Sequence, residues 1–151
     1  MIKTILITNP IPVLGTFLLE HFRDGKLIDT RYIENLVTNA GKALFANLFI
    51  GSGTAPTHIA LGTGTTAAAV GDTALETEVY REAATRTRAT ITITNDSSQY
   101  TKTFSIDATH ALTEAGLLNA SSSGTLCCRQ VYTALPVLDG DSLKGTWRLQ
   151  H

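Results

Sequence analysis

The stretch that decides the fold class lies near the end of the chain and reads Leu-Asp-Gly-Asp-Ser-Leu-Lys-Gly-Thr-Trp-Arg-Leu-Gln over residues 138–150. Leu143, Trp147 and Leu149 alternate with polar residues, which is the pattern of a strand with one buried and one solvated face. The Asp-Gly pair before them suits the positive φ angles of a tight hairpin turn. Residues 126–133 and 142–150 are therefore predicted to be two strands joined by this turn.

The same alternation recurs upstream. Residues 86–94 place Ala89, Ile91 and Ile93 on one face of a predicted strand, and the polar run 95–98 is predicted to turn it back. The returning strand carries Tyr100, Phe104 and Ile106 on one face. Residues 13–22 and 26–33 flank a second Asp-Gly pair and predict a hairpin, while residues 58–61 predict a short buried strand. Together these segments predict a mainly β fold, an antiparallel β-sandwich or jelly-roll-like module.

One segment has helical spacing instead. Between residues 38 and 50, small and aliphatic residues recur at intervals of three and four, with Thr38 or Asn39 available as N-cap. Gly51 follows, where a helix end favours a left-handed residue. A single α-helix near residues 38–50 is predicted to pack at one end of the sandwich.

The length of 151 residues fits one domain with a short leading arm. Residues 1–12 are apolar at first but end in Asn9-Pro10-Ile11-Pro12, where proline removes the donor that a sheet ladder needs. We therefore expect an N-terminal arm over residues 1–12, followed by a single β-rich domain over residues 13–151.

Composition bears on partners and compartment. The formal net charge of −1 gives no excess of basic residues to neutralise a phosphate backbone, so nucleic acid is not an expected partner. No apolar run approaches the roughly 20 residues that span a bilayer, and the first residues do not resemble a signal peptide. The two cysteines, Cys127 and Cys128, are adjacent and form no secreted-type framework. We expect synthesis in the cytoplasm, with no membrane partner, and one buried and one exposed thiol, the latter available for a link to a neighbouring subunit.

Motifs that could carry chemistry are weak. Residues 62–67, Gly-Thr-Gly-Thr-Thr-Ala, match the relaxed dinucleotide fingerprint, and Glu82 lies at about the expected distance downstream. That fingerprint needs a helix starting in the loop, whereas the residues that follow predict further strands. The four histidines are scattered singly, without metal-ligand spacing. No cofactor and no metal are expected.

An acidic cluster is the remaining candidate for catalysis. It consists of Asp72, Glu76, Glu78 and Glu82, and Arg81, Arg86 and Arg88 follow closely. A catalytic pair needs two carboxylates in different environments, and no sequence feature indicates that. Solvated or interfacial ion pairs are the simpler interpretation. We expect no enzymatic activity and no catalytic residues.

Three segments together resemble a family of structural proteins. They are residues 58–66 (HIALGTGTT), residues 72–75 with Glu78 (DTAL and E), and residues 113–120 (TEAGLLNA). Similar successions occur in small tail, fibre and baseplate-associated proteins of tailed bacteriophages, in which an aromatic residue usually stands at the position of Leu118. Residues 24–26 and 35–42 resemble segments that open other phage particle proteins, some of them on heads. Within the motif that carries this resemblance, we expect Glu114 to cap or pair within a turn. We expect Leu117 and Leu118 to anchor opposite sides of a strand.

The resemblance implies a virion structural protein made in the bacterial host cytoplasm. Its expected partners are further copies of itself and other phage structural proteins of the tail, baseplate or fibre, with capsid decoration (a cement or head-fibre protein) as the alternative. A carbohydrate-binding β-sandwich is the lesser alternative, because such modules present an aromatic platform and this chain has one tryptophan, Trp147. The candidate subunit contacts are Ile2, Ile5, Leu6, Ile7, Tyr80, Arg81, Arg86 and Arg88.

Overall fold

The computed structural model describes residues 13–151 and contains nine strands and one helix in that range. The predicted arm, residues 1–12, lies outside the described residues. The elements in chain order are β1 (Leu14–Arg23), β2 (Lys26–Val37), α1 (Asn39–Phe49), β3 (His58–Gly62), β4 (Glu78–Ala83), β5 (Thr85–Ala89), β6 (Ser97–Ser105), β7 (His110–Leu118), β8 (Leu126–Val137) and β9 (Ser142–Gln150).

All strand pairs in this range are antiparallel and form one sheet with the order β4-β3-β7-β8-β2-β1-β9-β6-β5. The sheet folds into two layers that meet at β2, which pairs with β8 only at Leu36 and Val37. The end strands β4 and β5 are consecutive and are separated only by Ala84, so the sheet is nearly closed. The prediction of a mainly β, antiparallel fold with one short helix is confirmed.

The core lies between the two layers. Phe17 of β1 and Trp147 of β9 stack with ring centroids 4.5 Å apart, and both side chains are fully buried. Leu143 and Leu149 are buried on the same face of β9, as the alternation predicted. Burying side chains of this size contributes roughly 1.5–3 kcal/mol each, so the predicted dry face of β9 is a main source of stability.

Both Asp-Gly turns form, but only the first has positive φ angles at both residues of the pair. Asp24 and Gly25 have φ values of 50° and 74° between β1 and β2, and Gly140 has φ of 89° between β8 and β9. These left-handed conformations match the right-handed twist of the paired strands. The first hairpin is longer than predicted, because β2 continues to Val37.

Helix α1 closes one end of the sandwich, as predicted. Thr38 is its N-cap: the side-chain oxygen accepts a hydrogen bond from the Gly41 amide at 2.9 Å and donates one to the Leu126 carbonyl at 2.6 Å. Leu44 and Phe45 then turn into the core. The cap therefore fixes the start of the helix and also ties it to β8.

The prediction of a strand over residues 86–94 is partly wrong. β5 ends at Ala89, and Ile91 and Ile93 are exposed instead of sharing a buried face. The carboxylate of Asp96 accepts hydrogen bonds from the backbone amides of Ile91, Thr92 and Ile93 at 2.8–2.9 Å. Such side-chain to backbone bonds compete with a sheet ladder, so the turn begins about five residues earlier than predicted.

The prediction for the cysteines is also wrong, because both thiols are fully buried. The register of β7 against β8 shifts here: Leu117 pairs with Cys128, but Leu118 pairs with Leu126. Cys127 is therefore an extra residue in a β-bulge, which interrupts the usual alternation of faces. Helix α1 packs over it, with Gly41 directly against the Cys127 backbone.

The layer that contains β3, β7 and β8 is buried on both faces. Leu117 lies in the main core, whereas Leu118 joins Ala60, Leu126 and Leu75 in a second small core on the outer face. Leu75 belongs to the segment 63–77, which crosses that outer face and is called the strap below. The prediction that Leu117 and Leu118 anchor opposite sides of a strand is confirmed.

Candidate functional site

The most buried charged group in the described chain is the carboxylate of Glu114. Glu114 stands in the middle of β7 and is completely buried on the outer face, beneath the strap. Its two oxygens accept hydrogen bonds from the backbone amides of Gly64 (3.0 Å), Glu76 (3.0 Å) and Thr77 (2.7 Å). The expectation that Glu114 caps or pairs within a turn is wrong, because the residue lies inside a strand and binds both ends of a distant loop.

Arg129 of β8 completes this site, with 2% of its surface exposed. Its Nε donates to Glu114 at 3.0 Å, its Nη1 to Asp72 at 2.8 Å, and its Nη2 to the Thr66 carbonyl at 3.1 Å. Burial alone lowers the pKa of the guanidinium, but the hydrogen bonds to Asp72 and Glu114 outweigh burial and raise that pKa. The buried cation is therefore paired, as buried charges must be.

Three glycines, one in the strap and two in the strands beneath it, have a packing role at the same place. A Cβ on Gly62 or Gly64 would overlap the Glu114 side chain, and a Cβ on Gly116 would overlap Leu75 and Leu126. The three segments that carry the resemblance therefore meet at one buried carboxylate. Every oxygen of Glu114 already accepts at least two hydrogen bonds, so this arrangement holds a loop in place and offers no free lone pair to a substrate.

The acidic cluster separates into ion pairs. Glu78 lies 2.6 Å from Arg81, Glu82 pairs with Lys102, and the remaining two carboxylates face Arg129. The predicted ion-pair interpretation is therefore confirmed for Glu78 and Arg81. Within residues 13–151, Arg86 and Arg88 form no ion pair with the cluster.

The candidate subunit contacts fall into three groups. Tyr80 and Arg81 are occupied inside the subunit: the Tyr80 hydroxyl donates to Asp107 at 2.7 Å, and Arg81 donates to backbone carbonyls of the 120–123 loop. Arg86 and Arg88 lie on the exposed strand β5, at one end of the sheet. The other four candidates, Ile2, Ile5, Leu6 and Ile7, lie outside the described residues. The assignment of these residues to subunit contacts stays a prediction.

A surface that the sequence did not indicate lies where the described chain begins. A concavity of about 440 Å³ lies at the open end of the β1–β2 hairpin, where β1 begins and β2 ends, and its lining includes exposed apolar side chains. We call it the β1–β2 groove and define it by Leu14, Tyr32, Asn35, Val70 and Ile91. Leu14 is 56% and Tyr32 is 69% exposed. Sequence reasoning missed it because Val70 and Ile91 come from two loops that only the fold brings to the hairpin.

A second concavity of about 420 Å³ lies between α1 and the start of β6. Phe45, Leu48 and Tyr100 form its apolar wall, and Phe49 stands at its rim with 80% of its surface exposed. Trp147 is fully buried, so it supplies no platform for stacking a sugar. Phe49 and Tyr32 are the exposed aromatic residues among the large apolar side chains of the described range, and they belong to different concavities.

A polar cluster also lies between the end of β1 and the β8–β9 turn. Asp141 is buried and accepts two hydrogen bonds from Arg23, at 2.9 and 2.8 Å, and lies 2.7 Å from His21 Nε2. The Arg23 guanidinium holds the pKa of this carboxyl well below its ordinary value, with a further contribution from the Leu138 amide. The cluster ties the β8–β9 turn to β1.

Two further observations concern the described part of the chain. No group of three or more His, Cys, Asp or Glu side chains in residues 13–151 is arranged to hold a metal ion. No helix in that range is long and apolar enough to cross a membrane.

Comparisons with family models, with curated proteins and with solved structures each give no match. The resemblance to phage particle proteins therefore stays a prediction from the motifs.

Proposed function

We propose that this protein is a non-enzymatic structural component of a tailed-bacteriophage particle, which self-associates and joins the tail, baseplate or fibre. The observation that carries the proposal is the β1–β2 groove, where four large apolar side chains from three separate segments share one exposed concavity. Single exposed apolar residues are ordinary on a protein surface. A grouped and concave set indicates a surface that another protein covers.

The packing role of the residues in the phage-like motifs supports a structural function for the protein. Gly64, Leu75, Glu114 and Gly116, which all belong to the segments that resemble phage proteins, contact one another and hold the strap on the sheet. A rigid strap gives the outer face of β7 and β8 a constant shape from copy to copy. A repeated assembly unit needs such a constant shape, because every copy must present the same patch to its neighbours.

Placement in the particle is tested with an antibody against the purified protein. Particles are purified from a host that carries the gene and are examined by immunoblotting and by gold labelling in the electron microscope. We expect signal in the particle fraction and gold at the tail, baseplate or fibre. Gold on the head would instead support capsid decoration, and particles without the protein would contradict the proposal.

Self-association is tested by light scattering. We compare the full chain with a variant that starts at Val13, since residues 1–12 contain four aliphatic candidate contacts. Burying each such side chain is worth roughly 1.5–3 kcal/mol, so their loss removes on the order of 6 kcal/mol of contact energy per subunit. We expect the full chain to form a defined oligomer and the shortened chain to dissociate. If both chains have the same mass and incorporate equally, the contacts lie elsewhere, and residues 80–88 are the next region to vary.

A further inference from the structure

We propose that the concavity between α1 and the start of β6 binds a small molecule that carries a carboxylate on an aromatic body. We call this concavity the α1–β6 pocket and define it by Phe45, Leu48, Phe49, Ser98 and Tyr100. The inference goes beyond the structural role proposed above and does not depend on it, because the pocket lies within one subunit.

The size and lining of the pocket suit a small ligand. Its volume is about 420 Å³, and pockets for small molecules commonly measure about 300–1,000 Å³. Three aromatic side chains, Phe45, Phe49 and Tyr100, line it together with Leu48 and Pro56. The whole lining consists of nine residues, whereas a stable protein interface takes about 20–30 residues on each side. The pocket therefore fits a compact aromatic body better than it fits a protein partner.

Two arginines of β5 border the pocket. Arg86 is paired with Tyr100, and Arg88 is paired with Ser98. Directly paired residues of antiparallel strands project to the same face of the sheet, with Cβ atoms about 4.5–5.5 Å apart. Burial raises the pKa of the Tyr100 hydroxyl, and the charge of Arg86 acts on the same hydroxyl in the opposite direction. A positive charge therefore lies beside the Tyr100 wall of the pocket.

Arg86 and Arg88 differ from the other arginines of the described chain. Both are exposed, and neither guanidinium forms an ion pair within residues 13–151. Each of the other arginines in that range donates to an acceptor inside the subunit: Arg23, Arg31, Arg81, Arg129 and Arg148. A guanidinium binds a carboxylate through two parallel hydrogen bonds. Two unpaired cations beside an aromatic pocket therefore favour a carboxylate on the ligand.

The carboxylate of Asp96 also lines the pocket and determines how the ligand is oriented. Its oxygens accept hydrogen bonds from the backbone amides of residues 91–93. These bonds hold the pKa of the carboxyl well below its ordinary value, so it is ionised at neutral pH. Asp96 immediately precedes β6, and Tyr100, opposite Arg86, lies further along that strand. Because like charges repel, we expect the ligand carboxylate beside Arg86 and not beside Arg88.

Titration calorimetry of the full-length protein with two matched ligands tests the site. Naphthoate carries the carboxylate, and naphthamide has nearly the same shape without the charge. We expect the natural protein to bind naphthoate about tenfold more tightly than naphthamide, which corresponds to about 1.4 kcal/mol. Arg86→Gln should abolish most of this preference. Arg148→Gln is the matched control and should retain it, since Arg148 is exposed and is paired with Gln99 on the opposite face of the sheet.

Phe49→Ala tests the position of the aromatic body. Phe49 is 80% exposed, so the substitution should leave the fold intact and weaken the binding of both ligands several-fold. The inference is overturned if naphthoate shows no saturable binding up to millimolar concentration, or if the natural protein binds both ligands equally. Equal losses of preference in Arg86→Gln and Arg148→Gln would also overturn it, as would unchanged affinities in Phe49→Ala.

Discussion

Replacing Glu114 with glutamine tests whether the buried carboxylate holds the strap. Glutamine keeps the size of the side chain but turns one acceptor oxygen into an NH₂ donor. One Glu114 oxygen accepts from the Gly64 and Thr77 amides, and the other accepts from the Glu76 amide and from Arg129. In either orientation of the new amide, two buried donors lose their acceptor and face another donor.

The expected cost is large. A hydrogen bond to a charged group contributes about 1.5–3 kcal/mol, and breaking a buried ion pair by changing one partner costs about 3–5 kcal/mol. Arg129 keeps Asp72 as a partner at 2.8 Å, so the two costs are not added. We expect about 3–5 kcal/mol for the whole change. Domains of this kind are stable by only about 5–15 kcal/mol, so the free energy of unfolding should fall by about a fifth or more.

Two measurements check the Glu114→Gln prediction. Urea unfolding gives the free energy, and hydrogen exchange of the Gly64 and Thr77 amides reports the strap directly. Glu20→Gln is the control, because Glu20 pairs with Lys144 at the surface, where an ion pair is worth about 0–1 kcal/mol. A Glu114→Gln loss no larger than that of the control, or unchanged exchange at Gly64 and Thr77, would refute the assigned role of the carboxylate.

Three further predictions follow from the contacts described above. Gly64→Ala should destabilise the protein by about 1–3 kcal/mol in urea unfolding, because its Cβ meets the Glu114 carboxylate, whereas Gly71→Ala has open space around it and should change stability by less than about 0.5 kcal/mol. Burial raises the pKa of Cys127 to about 12 and that of Cys128 well above its ordinary value, so a thiol reagent at pH 8 should titrate no thiol in the native protein and two in guanidinium; rapid labelling without denaturant would contradict their burial. Arg23 lowers the pKa of Asp141 below its ordinary value of 3.8, so this carboxylate stabilises the fold above about pH 4, and the contribution is lost as the pH falls through the lowered pKa. Asp141→Asn should therefore be less stable than the natural protein at pH 7, with a difference that shrinks between pH 4 and pH 2; a difference independent of pH would refute this linkage.

Local patterns in the sequence were sufficient for the strands with one dry face and for the turns between them. The alternation around Trp147 and the Asp-Gly pairs depend on neighbours within a few residues, where the period of two and the left-handed φ angles act directly. Helix α1 was predictable for the same reason, since its cap and its apolar spacing lie within one short segment. The prediction for residues 90–94 was wrong because Asp96, a residue placed in the predicted turn, bonds back to those amides.

From the sequence, the residues of the buried site around Glu114 could be identified only separately. Sequence analysis singled out the strap glycines, the acidic cluster and the segment around Glu114 separately, and assigned Glu114 to a turn. It gave no reason to connect them with Arg129, because β7 and β8 are brought under the strap by strand pairing between residues far apart in the chain. The bulge that buries Cys127 is likewise a property of the register between two strands, which no single segment specifies.

The sequence by itself thus determined the class of the fold, its turns and its helix, since these depend on period and backbone preference over a few neighbouring residues. Only the tertiary structure decided which strands have a second face covered by another segment, such as the strap. It also decided which carboxylate is buried and where exposed apolar side chains form a groove. Glu114 and Glu20 are the same residue type in strands, yet one is sealed beneath the strap and the other pairs at the surface. The physical reason is that burial depends on what packs above a residue, and the packing segment here lies 37–50 residues away in the chain.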